Sequence, residues 1–260
     1  MFTSNPFAEL SASISATVMQ TYVVVMIILV VAGTLFDVVH KKSAKYFFQN
    51  WRKAKSQGTD VGAGEMVSIA VQTVAVDAIT SGEFCNLRRR IAHLLAMYGF
   101  VIYAVTTTVM VFGYAAPEAA TPAILPQLWY AGALMVCFGG YWFWFFIRVD
   151  VVAEGHSPLR IVRADLFILS LLASVTLGLI WAILQAAGSL WTTVFLGAYI
   201  LATTVLFGSV PWSKFSHMFF KPAAAFEKRM SNANGTRSNL PAPSDNPATF
   251  GSTRSQPNHY

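Results

Sequence analysis

Between Asp165 and Lys214 the chain runs 48 residues without a charged side chain. Three shorter stretches, Ser11 to Phe36, Ile91 to Pro117 and Ala119 to Ile147, are equally free of charge. The hydrocarbon core of a bilayer is about 30 Å thick and takes about 20 apolar residues to cross as a helix. Inside it only a helix or a closed barrel satisfies its own backbone. Each short stretch therefore accommodates one span and the long one two. The pattern predicts an all-α membrane protein, a bundle of five transmembrane helices. Composition agrees: hydrophobic residues make up 55% of the 260 and charged residues 12%, about half the charged share of a soluble domain.

The helices are expected near Val18–Val38, Ile91–Val111, Leu128–Ile147, Leu166–Leu184 and Trp191–Val210. The long run should turn at Gln185-Ala-Ala-Gly-Ser, where Gly188 and Ser189 favour a reversal. Pro117, Pro122 and Pro126 mark the connection before the third span, and Pro211 closes the fifth. All 18 Lys and Arg residues fall in segments 39–90 and 148–163 and in the tail from Lys214. Five spans place these segments on one side, which the positive-inside rule makes cytoplasmic. The N-terminus is then outside, the C-terminus cytoplasmic, and the protein sits in the cell inner membrane. Met1 to Ala16 lacks the basic start of a cleaved signal, so the first span is expected to remain as an anchor.

The expected organisation is an outer segment 1–17, a five-helix membrane domain 18–230 with a cytoplasmic interfacial segment 41–90, and a disordered tail 231–260. Within 41–62, Lys41, Lys42, Tyr46, Phe47, Phe48, Trp51, Arg52 and Lys53 suit a helix at headgroup depth, in contact with membrane lipid. Residues 64–80 are apolar but interrupted by Glu65, Gln72 and Asp77, so they read as a second interfacial helix or a docking surface. The net charge of +6 lies in these rims and does not signal nucleic acid. Cys85 and Cys137 are too few and too far apart for a disulfide framework or a zinc site, and Cys137 reads as a small apolar filler. The Asn234-Gly235-Thr236 sequon has no meaning on the cytoplasmic side.

No span carries an ionisable residue near its middle, which argues against a pump, a proton-coupled transporter or an intramembrane hydrolase. The histidines remain. His93 lies just inside the second span, after Arg88, Arg89 and Arg90, and His217 follows the fifth in Ser213-Lys-Phe-Ser-His217. The helices run in opposite directions, so both imidazoles come out at the cytoplasmic rim. There they can clamp a haem iron from both axial sides, with the arginines and Lys214 on the propionates. The plainer reading is two interfacial histidines at coincident depth. His40 and His156 read as solvated loop residues, as replacements for one of the pair or as helpers at a quinone pocket, and His259 sits in the tail. The run Tyr141 to Phe146 reads as an aromatic belt, and Arg148, Asp150, Arg160, Arg163 and Asp165 as a solvated loop.

The stretches Arg88-Arg-Arg-Ile-Ala-His93-Leu-Leu-Ala-Met-Tyr-Gly-Phe100 and Pro211-Trp-Ser-Lys-Phe-Ser-His217-Met-Phe-Phe-Lys-Pro222 resemble the five-helix cytochromes b of the respiratory nitrate reductase gamma-subunit type. Among them they are most similar to the membrane anchors that accompany dissimilatory adenylylsulfate reductase. The resemblance covers roughly residues 15–230 and implies electron exchange between quinone and a cytoplasmic iron–sulfur or flavin enzyme, here adenylylsulfate reductase. His93 and His217 match the family's inner haem b pair. The outer pair should fall at Tyr103 and Tyr199, five helical turns before His217 on the same face, and tyrosine is not a usual ligand there. The resemblance thus implies one haem at the inner rim, with quinone handled on that side. The chain would be a non-catalytic or quinone-reacting subunit. The alternative is a haem-free anchor that docks the soluble enzyme without carrying electrons.

Overall fold

The computed structural model describes residues 2–40, 43–82, 84, 86–116, 118–148, 161–213, 215 and 217–236, and no strand occurs among them. The helices are α1 (Pro6–Leu10), α2 (Ala16–His40), α3 (Ser43–Gln57), α4 (Ala63–Gln72), α5 (Leu87–Gly113), α6 (Ile124–Trp142), α7 (Leu166–Ala186), α8 (Thr192–Gly208) and α9 (His217–Ala233). π-helical turns extend α4 over Thr73–Ile79 and α6 over Phe143–Ile147. Four helices, α2, α5, extended α6 and α7, are long and apolar enough to cross a membrane, as in a membrane-embedded multi-pass protein. The expected fifth, α8, has 17 residues and falls short of that length. It stops at Gly208, and a 3-10 turn over Val210–Trp212 follows. Pro211 has no N–H with which to continue α-helical bonding.

The chain divides into two compact units, residues 1–37 with 91–215 and residues 38–90 with 216–260. In the first, α5 and α6 meet at backbone distance. A Cβ on Gly99 would lie 2.7 Å from the Gly132 carbonyl oxygen, and one on Gly139 would lie 2.6 Å from that of Ala92. Only small residues permit such an approach, and in lipid this close packing replaces the hydrophobic drive that water supplies. On α2, Gly33 leaves room for Val210 and Pro211, since a Cβ there would meet the Val210 side chain at 2.9 Å. Further out, Gln20 Nε2 donates to the Val111 carbonyl at 3.2 Å and Tyr22 OH to the Ile200 carbonyl at 3.1 Å. The reversal between α7 and α8 falls where the sequence places it, with Gly188 at φ +63°, a conformation that glycine adopts without steric cost.

The N-terminal residues are tied to the helices of the first unit. Asn5 caps α1, accepting from the Phe7 amide at 3.0 Å and donating to the Tyr114 carbonyl at 2.8 Å. Gln185 Nε2 donates to the Pro6 carbonyl at 2.7 Å. The cap seats Phe7 against Trp129 and Trp181, with centroids 6.0 and 5.6 Å away.

In the second unit α3, α4 and α9 pack together. Trp51 stacks between Phe47 and Phe226, at 6.2 and 5.8 Å. Arg229 Nε and Nη2 donate to the two carboxylate oxygens of Asp77 at 2.8 and 3.1 Å, a pairing that raises the arginine pKa further. The Asn234 carbonyl accepts from the Thr59 amide at 3.0 Å, and α9 runs through Ser231 to Ala233. Ordered structure therefore reaches into the expected tail, and residues 237–260 lie outside the described set. Residues 43–57 and 63–79 are helical, and Ser81, at φ +49°, turns the chain after the π-bonded stretch of residues 73–79 toward α5.

The glycine seam generates a prediction. Gly99→Leu should separate α5 from α6 and cost about 1–3 kcal/mol or more, as overpacking does. The thermal transition of the detergent-purified protein should fall well below that of a Gly113→Leu control, where a Cβ meets nothing within 4 Å.

Candidate functional site

His93 lies on α5 in the first unit, half-buried. Phe100 follows seven residues later, close to two full turns and so on the same face. Its ring meets Phe215 edge-on at 6.2 Å, and Phe215, 2% exposed, also contacts Phe167 at 5.4 Å and Phe207 at 6.0 Å. The His93 face of α5 is therefore the inward face at this level.

Arg88, Arg89 and Arg90 form the first turn of α5 and belong to the second unit. Asn86 Oδ1 accepts from the Arg88 and Arg89 amides at 2.9 and 3.4 Å, and Arg90 Nε donates to the Thr80 carbonyl at 2.7 Å. Three cations at a helix N-terminus oppose the helix dipole. His217 opens α9 in the second unit; its side chain and Lys214 lie outside the description, as do His156, His259, Asp150 and Arg160. His40 is exposed at the end of α2. The candidate residues thus divide between the two units.

The shared face inferred for Tyr199 and His217 does not hold, because α8 ends at Gly208 and nine residues later a new helix starts. The break at Pro211 resets the register. Tyr199 instead faces Tyr103. Both are buried, and Tyr103 OH donates to Tyr199 OH at 2.9 Å. Tyr103 stacks on Trp129 at 5.0 Å, Tyr199 stacks on Trp181 at 5.7 Å, and Phe7 touches both tryptophans. Five aromatic residues from α1, α5, α6, α7 and α8 close a ring. Gly178 forms part of its floor, since a Cβ there would lie 2.8 Å from the Tyr103 oxygen. One turn away Ser174 Oγ and Thr203 Oγ1 are 2.7 Å apart. Trp129 Nε1 donates to Thr107 Oγ1 at 2.9 Å, whereas the buried Trp181 Nε1 has no hydrogen-bond acceptor among the described residues.

Two charged features escaped the sequence reading. Arg148 and Asp165 are not solvated loop residues. Each is 9% exposed, and they form a two-pronged ion pair, with Nε to Oδ1 at 3.0 Å and Nη2 on Oδ2. The Val162 amide adds a 2.9 Å bond to Asp165, and the guanidinium lies 3.9 Å above the Trp144 ring. The ends of extended α6 and α7 bring these charges out of water, where only pairing makes burial tolerable. Spacing across a 16-residue gap carries no signal of this. The second feature is Asp37, 1% exposed, one turn beyond Gly33 on α2. Its clue in the sequence was a lone acid four residues after a glycine in an otherwise apolar helix.

No family model, curated protein or solved structure matches this chain.

Loss of the phenol–phenol bond in Tyr103→Phe should cost about 0.5–1.5 kcal/mol. Gly178→Val should cost more, because it drives side-chain atoms into Tyr103 and Tyr199. Thermal unfolding in one detergent, wild type against both variants, checks the ranking.

Proposed function

We propose that this chain is the membrane electron-transfer subunit of a quinone-linked complex, with His93 and His217 as axial ligands of one b-type haem at the cytoplasmic rim. The observation that carries the reading is local. His93 shares its inward face of α5 with Phe100, and Phe100 packs on Phe215, two residues before His217 in the chain. The donor chemistry fits, because two neutral imidazoles are suited to a low-spin haem. The positions where relatives of this type would hold a second haem do not fit one. Tyr103 and Tyr199 spend their hydroxyls on each other and are packed against Gly178 and two tryptophans. A haem bound by the two histidines supplies a one-electron carrier, and Arg88, Arg89, Arg90 and Lys214 are the cations available to its propionates. Quinone is handled on the same side, near this rim.

In this arrangement α8 is the fifth span. The 17 residues of α8 cover about 26 Å at 1.5 Å each, and the 3-10 turn adds about 6 Å at 2 Å per residue. Together they match the bilayer core. A second support is the packing of α9 on α3 and α4 within one unit. Segments so joined belong on one side of the membrane, which requires α8 to cross. With the basic segments cytoplasmic, the N-terminus is outside and the protein sits in the cell inner membrane. The soluble partner is an iron–sulfur or flavin enzyme, adenylylsulfate reductase by resemblance, and its cofactors carry the sulfur chemistry.

A reduced-minus-oxidised visible spectrum of the purified protein tests the reading. A b-type band in wild type, lost in both His93→Ala and His217→Ala, is expected. A well-folded wild type with no band would leave the alternative, a haem-free anchor. Docking of the partner should weaken as salt rises; retention on membranes at high salt would assign the contact to apolar surface. Cysteine accessibility in sealed vesicles should find Ser56→Cys and Asn232→Cys on the same side.

A further inference from the structure

The element from Ala63 to Ile79 in the second unit presents an apolar surface that its own unit leaves uncovered. Val67, Val71 and Val74 recur at helical spacing and are 63%, 62% and 53% exposed. Val76 and Ile79 extend the surface across the π-helical turn, at 38% and 50%. The opposite face is covered: Ile69 is 9% exposed and Thr73 2%. From Met66 to Thr80 the sequence holds one charge, Asp77, and that carboxylate is taken by Arg229 of α9. The outward surface therefore carries no charge.

The surroundings are the reverse. Fourteen of the 18 Lys and Arg residues, but only six of the 12 acidic ones, belong to this unit. All of the chain's positive excess thus lies in the unit that bears the valine stripe. The stripe is also tied to a membrane span. Thr80, one residue past its end, accepts from Arg90 in the first turn of α5, and α5 is one of the four helices able to cross. On the other flank, α3 begins three residues after α2 ends.

We propose that this face, Val67, Val71, Val74, Val76 and Ile79, is a bilayer contact that lies in the headgroup–acyl boundary of an anionic leaflet. An uncharged stripe in a basic setting, fastened to the mouth of a span, has the properties of an interfacial helix. Each lysine or arginine near an anionic surface strengthens the attachment. A soluble partner steered by the basic residues would meet charge, whereas this stripe offers none. The proposal rests on the multi-pass reading and is independent of the haem, whose absorbance band is read separately.

The test uses the full chain in nanodiscs, with Val71→Cys in a Cys85→Ser, Cys137→Ala background, labelled with an environment-sensitive fluorophore. In nanodiscs containing phosphatidylglycerol the emission should be blue-shifted and quenched by lipids brominated near the top of the acyl chain. Quenching should decrease in pure phosphatidylcholine, and again when Arg88 and Arg89 are both replaced by Gln. Val67→Cys, at an equally exposed position, repeats the measurement should the first variant fold poorly. Water-like emission at both positions in both lipids would overturn the proposal. So would emission that becomes protected only when a soluble protein is added, which would make the stripe a protein-docking surface. Equal quenching in the two lipids would overturn its anionic selectivity.

Discussion

The first unit depends on the contact between α5 and α6. With glycine at 99, 132 and 139 the two backbones touch, and the side chains around the seam are placed by that approach. Trp129, one turn before Gly132, can then reach Tyr103, one turn after Gly99, and stack on it at 5.0 Å. Tyr103 in turn reaches Tyr199 above the bare backbone of Gly178. Larger residues at the seam would move α5 outward and open the aromatic ring. In lipid, where apolar burial gives helices little reason to associate, the geometry of such seams is the main source of specific packing.

Much of this architecture was legible in the sequence because the bilayer imposes so strict a filter. Uncharged runs locate the four long helices to within a few residues at each end, and Gly188 marks the turn after α7. Two kinds of information were not legible. One is the interruption after Gly208: apolar residues continue through Val210, so hydropathy alone does not separate α8 from the 3-10 turn, and the helical phase from Tyr199 to His217 was carried across a break. The other is long-range pairing. Arg148 and Asp165 looked like loop charges because spacing cannot show that two helix ends converge, and the burial of Asp37 has no signature in residue type alone. The histidine pair was read from residue type and position alone and belongs to the proposed site.

The proposed site and the aromatic ring divide the labour of the helices. The level of His93 carries cations, a histidine and phenylalanines. Ten residues further along α5 the interior is closed by hydrogen-bonded and stacked side chains. The proposed electron carrier, confined to one level, would exchange electrons at one surface only. Among the described residues the ring also leaves one donor, Trp181 Nε1, without an acceptor, at a cost of order 1–3 kcal/mol for a buried polar group. Close packing of the five aromatics must outweigh that cost.

The composition of the second unit has a consequence in time. Its parts, residues 38–90 and 216–236, are separated by the whole of α5 to α8. During synthesis α3 and α4 emerge long before α9, and neither Arg229 nor Phe226 exists to receive Asp77 and Trp51 until the last helix has left the ribosome. The finished platform is thus a record that every intervening helix has been made and inserted. A chain arrested or mis-threaded at any span would display α3 and α4 without their closing helix.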